Sequence, residues 1–104
     1  MQDTTLWIAA IKRYNQILKA TAAAWKAKGL ADFGVSLQPF MQEAKLDGAD
    51  MDTADCFHPN LASHQRMAIA LWNNMLASSP EAKSRDWKEP QNATCPTAGS
   101  RLVV

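Results

Sequence analysis

Cysteine is scarce in this sequence, tyrosine occurs once, and neither sign of charge dominates. Two cysteines allow no more than one disulfide, a pair of thiols or half of a metal site. The formal net charge is +1, with the Lys and Arg residues dispersed. That argues against a nucleic-acid surface or an anionic-membrane surface, both of which need concentrated positive charge. No strictly apolar run is longer than that from Leu6 to Ile11, far short of a bilayer span. Asp3 and the amphipathic pattern behind it break a signal-peptide reading. What remains is 104 residues, 47% apolar and 20% charged, the make-up of one small globular domain.

The first segment reads as a helix. Trp7, Ile11, Tyr14, Leu18, Thr21 and Trp25 recur at alternating four- and three-residue steps, one stripe of a helical surface. Asp3, Thr4 or Thr5 can cap its start, and Gly29 can end it in a left-handed conformation. From Thr5 to Lys28 it would run about 36 Å. The period then changes. Phe33, Val35 and Leu37 alternate with Gly34, Ser36 and Gln38 up to Pro39, which predicts a short strand. Helix into strand is the second half of a β-α-β unit. A lone strand cannot satisfy its own backbone, so its sheet is expected from outside this chain.

Between Met41 and Phe57 the sequence is irregular and acidic, with Glu43, Asp47, Asp50, Asp52 and Asp55 against Lys45. The glycine and terminal glutamate of an EF-hand loop are not in place, so most of these acids are expected in a solvated loop. A second helix is predicted after Pro59 and an Asn60 cap, with Leu61, His64, Ala68, Leu71 and Met75 on one stripe and Trp72 and Leu76 widening it. Residues 81–100 are polar and contain Pro90, Pro96 and Gly99, which predicts a tail wrapped over a surface. Arg101 to Val104 could add a short strand.

Asp55-Cys56-Phe57-His58-Pro59 is the stretch that bears on chemistry. A carboxylate three residues before an imidazole, in a turn ahead of a helix, can reach the Nδ1–H of that ring. Such a bond leaves Nε2 free to take a proton and stabilises the imidazolium once formed. On spacing alone two readings stay open: two members of a Ser-His-Asp triad, or a surface turn with a capping Asp.

Context adds weight to the first. Leu37-Gln38-Pro39-Phe40, Asp55-Cys56-Phe57-His58, Ala70-Leu71-Trp72-Asn73-Asn74-Met75 and Asn92-Ala93-Thr94-Cys95-Pro96, in that order and spacing, resemble the C-terminal part of the phospholipase B branch of the GDSL/SGNH lipase-esterase family. The resemblance runs from about Trp7 to Pro96. It implies an α/β fold, a three-layer α/β/α sandwich with a mostly parallel sheet. Residues 1–104 would be the C-terminal part of that one domain, with 81–104 as its surface-wrapping tail. It also implies that Asp55 is the acid and His58 the base of a serine-dependent hydrolysis of phospholipid or lysophospholipid acyl esters. No cofactor and no metal is expected.

None of Ser36, Ser63, Ser78, Ser79, Ser84 and Ser100 lies in a Gly-Asp-Ser block. The nucleophile and oxyanion-hole donors are therefore expected in the N-terminal part of the domain, which is one partner; the lipid ester is the other. A secretory-pathway or extracellular location follows from the resemblance, with peripheral membrane contact and an anchor in a full-length parent. The alternative is an inactive, truncated relative serving as a helical interaction module.

Other residues carry blander expectations. His64 reads as a core histidine rather than a catalytic one. Trp7, Trp25 and Trp72 read as core rather than substrate contacts. Asn92-Ala93-Thr94 is a glycosylation sequon in a secretory setting. Cys56 and Cys95 are expected to bridge, since a link from the tail would stiffen the catalytic turn and secreted lipases fold where disulfides persist. Two free thiols are the alternative.

Overall fold

A computed structural model describes residues 4–102. They form two compact units, one up to Leu37 and one from Gln38 onward.

The first unit is built on α1, Thr4–Lys26, followed by an irregular segment. Asp3, a candidate cap, lies outside the described residues. The helix stops two residues before Lys28, and its end turns through Gly29 at φ +58°. That is the left-handed region where glycine, lacking Cβ, is unstrained. Trp7, read as core, is instead in solvent, as are Ile11, Tyr14 and Leu18 of its stripe, and no residue of α1 is buried. Trp25 is half-buried. Its ring lies 5.0 Å from that of Phe33 and 3.6 Å beneath the Lys28 ammonium, a cation–π contact. The strand expected at 33–37 is not formed. Strands exist only by pairing, and the one bridge in the described chain joins Met51 to Pro59. Arg101 and Leu102 are not in a strand either; Val103 and Val104 lie outside the described residues.

In the second unit α2 spans Leu61–Met75, capped as predicted by Asn60, whose side chain accepts from the Ser63 N–H. Its buried face differs from the predicted stripe. Ser63, Ala70 and Asn74 are buried, while Leu61, His64, Ala68 and Leu71 are exposed. Ser63, Ala70 and Asn74 each precede by one a residue of the predicted stripe, His64, Leu71 and Met75, a rotation of about 100°. The cause is what the helix packs against. Ser63 Oγ donates to Asp50 O, and Asn74 pairs with both backbone groups of Ser84. Irregular backbone needs polar partners when buried, so this face is small and polar rather than oily.

The tail supplies the largest core residue. Trp87 is fully buried, and its N–H donates to Phe40 O while Glu43 N–H donates to Arg85 O. Lys88 then corrects the picture of the acidic segment. Its ammonium donates to Asp47 Oδ2 at 3.0 Å, Asp50 Oδ2 at 2.6 Å and Lys45 O at 2.8 Å. Asp50 is consequently buried rather than solvated, because a charge leaves water only with a partner.

Candidate functional site

Residues 52–58 form a loop closed at a narrow neck. Asp52 N–H donates to His58 O, Met51 and Pro59 form the bridge, and Asn60 N–H donates to Asp50 O. Inside the loop Cys56 N–H donates to Asp52 O at 2.9 Å. Cys56 itself sits at φ +53°, a conformation that costs an L-residue free energy unless its surroundings impose it. Here the imposed turn folds His58 back over Asp55.

The two side chains meet. Asp55 Oδ2 lies 2.5 Å from His58 Nδ1, and Asp55 Oδ1 accepts the N–H groups of Phe57 at 2.9 Å and His58 at 3.0 Å. Both carboxylate oxygens are thus committed. The imidazole beside it, followed by the two backbone donors, holds the Asp55 carboxyl down at about 2, against 3.8 ordinarily. A carboxylate that stays ionised can accept from Nδ1–H, which leaves Nε2 as the basic nitrogen. Nε2 has no hydrogen-bond partner among the described residues, and the His58 side chain is 70% exposed. Phe57 packs edge-on against the ring at a centroid distance of 5.0 Å. A fixed tautomer with an open, basic nitrogen is the arrangement a general base requires.

The model of the family described as GDSL-like lipase/acylhydrolase matches residues 4–71, a span that includes this loop. The chain belongs to that family. It is 34% identical over 95 residues to human "Phospholipase B1, membrane-associated", and 40% identical over 99 residues to the mouse protein of the same name. Those matches cover 83% and 86% of this chain but 6% and 7% of the relatives. The chain therefore spans less than a tenth of their length. The rat protein of that name is 48% identical over 52 residues, covering 43% of this chain. These relatives place the chain in the phospholipase B branch of the GDSL family. No solved structure matches.

Within that framework the other expected site residues separate. His64 is exposed on α2, not in a core. Trp72 is not core either; its indole N–H donates to Thr94 O, and Asn73 holds Asn92 O, Gln91 Oε1 and Thr94 N. The Leu-Trp-Asn-Asn-Met string is thus a clasp for the segment around the sequon. Asn92 is exposed there.

The Cys56–Cys95 bridge is not formed: both thiols are free and exposed. Thr94 is tied to Trp72, whereas Cys56 precedes the start of α2 at Leu61.

A cavity of about 360 Å³ lies between Arg66 and Ile69 of α2 and the chain from Trp87 to Asn92; neither Asp55 nor His58 lines it. Sequence reasoning missed Trp87, Lys88 and the side chain of Asn60 beyond its cap. All three act through partners far along the chain, which no local spacing reveals.

Proposed function

We propose that this chain supplies the acid and the base of a Ser-His-Asp triad in a phospholipase B-like ester hydrolase. The observation that carries the reading is the contact of Asp55 Oδ2 with His58 Nδ1 at 2.5 Å, with the imidazole open on its other side. Membership of the lipase/acylhydrolase family supports it. A serine from the remainder of an α/β/α domain would attack the acyl carbonyl. His58 Nε2 takes the hydroxyl proton and returns it to the departing alcohol. Asp55 holds the ring in register and stabilises the imidazolium. The substrate class is a phospholipid or lysophospholipid acyl ester. The relatives are named membrane-associated; no described helix of this chain is long and apolar enough to cross a membrane.

Labelling by a fluorophosphonate, which reacts only with an activated serine, tests the reading. The 104-residue chain alone stays unlabelled. The chain joined to the N-terminal part of a phospholipase B-like domain is labelled, and His58→Ala abolishes that labelling. Labelling of the isolated chain would place an activated serine within it and contradict the assignment; undiminished labelling of the folded His58→Ala protein would remove His58 as the base and leave the interaction-module alternative for this chain.

A further inference from the structure

Asn60 follows the catalytic loop and does more than cap α2. Its Oδ1 accepts the Ser63 N–H at 3.0 Å, the ordinary capping bond. Its amide nitrogen reaches the other way, donating to Ala49 O at 2.7 Å and Met51 O at 3.3 Å. Its backbone N–H donates to Asp50 O at 2.9 Å, a carbonyl that also accepts from Ser63 Oγ. One residue therefore joins the start of α2 to both sides of the neck, immediately next to the Met51–Pro59 bridge and the Asp52–His58 pair.

The far side of that neck is itself anchored, since the Asp50 carboxylate accepts from Lys88 Nζ and from Asp47 N–H. The loop between is exposed: Asp55, Cys56, Phe57 and His58 are all in solvent. Bonds inside the loop orient the Asp55 carboxylate, and Phe57 packs on the imidazole; the separation of the loop's two ends, Asp52 and His58, is set at the neck.

We infer that Asn60 is a positioning residue, whose side-chain amide closes the neck and thereby sets His58 against Asp55. This rests on reading those two residues as base and acid. Asn60 touches neither side chain; it acts through the backbone at 49–51 and through Pro59. Loss of the amide frees one wall of the neck, and the Nδ1–Oδ2 contact becomes one state among several.

Ring 15N NMR of His58 in the 104-residue chain, at a pH where imidazole is neutral, tests this without requiring ester hydrolysis. Asn60→Asp and Asn60→Ser both keep a strong N-cap, and neither can donate the two amide bonds. The wild type is expected to show the Nδ1–H tautomer, and both variants to move to the mixed tautomers of free histidine while the amide spectrum of α2 persists. Asn74→Ala, a destabilising change at the other end of α2, is expected to leave the His58 signals unmoved. Wild-type His58 ring shifts in Asn60→Asp would overturn the inference, as would an equal change in Asn74→Ala. Because the readout is independent of turnover, labelling that ignores His58 would defeat the functional reading while leaving this result standing.

Discussion

Each oxygen of Asp55 has its own task, Oδ1 gathering two backbone N–H groups and Oδ2 facing the imidazole. The titration of this carboxyl has a definite consequence. Its folded value of about 2 lies below the ordinary 3.8. A depressed carboxyl stabilises the fold above its unfolded pKa, and that contribution is lost as pH falls through the folded one. Unfolding followed between about pH 4 and pH 2 should therefore show a loss that Asp55→Asn lacks. Side-chain carboxyl NMR should place the Asp55 midpoint near 2 in the wild type and return it toward the ordinary range in His58→Ala. An Asp55 midpoint unmoved by His58→Ala would break the pairing. This pair was legible in the sequence because three residues and a turn bring the groups within reach of each other, whereas the neck that Asn60 closes depends on contacts nine to eleven residues away. That Cys56 and Cys95 stay unbridged was not legible for the opposite reason, since it depends on where Trp72 pins Thr94.

Among the elements, α2 shows what periodicity can and cannot reveal. Its existence and its Asn60 cap followed from the pattern, because both depend on neighbours a few residues away. Its buried face did not follow. Apolar spacing points to Leu61, His64 and Leu71, but the contacts available to α2 are backbone groups of Asp50 and Ser84, which favour Ser63 and Asn74. Asn74→Ala should cost about 2 kcal/mol, since it strands two buried backbone groups as well as removing their bonds. His64→Ala should stay within about 0.5 kcal/mol, as an exposed position does. Denaturant unfolding of the two variants decides between the faces, and a larger loss in His64→Ala would restore the apolar stripe as the packed one. The strand at 33–37 failed because alternation signals compatibility with a sheet, while pairing must come from another segment.

Across the second unit, distant contacts rather than a large apolar centre hold the parts in place. Ala70 and Trp87 are the buried apolar residues, and around them Lys88 joins the tail to the acidic segment. The ammonium hydrogen-bonded to Asp50 and Asp47 holds both carboxyls below the usual range, and those carboxylates in turn raise Lys88. The carboxylate contribution is present above about pH 4 and lost toward acid. The Lys88 contribution is present below its unfolded value of 10.5 and lost as pH rises beyond it. Lys88→Met should therefore destabilise most at neutral pH, with the deficit shrinking as Asp50 becomes protonated. A deficit independent of pH would show that the lysine acts through packing alone.

The central claim is that Asp55 and His58 serve as acid and base, and kcat for a lysophospholipid ester, measured on this chain joined to the N-terminal part of a phospholipase B-like domain, tests it most directly. His58→Ala should lower kcat by a factor on the order of 10⁶ and Asp55→Asn by about 10⁴, while His64→Ala leaves it within about twofold. A kcat for His58→Ala close to wild type, or a loss in His64→Ala equal to that in His58→Ala at unchanged folding, would contradict it.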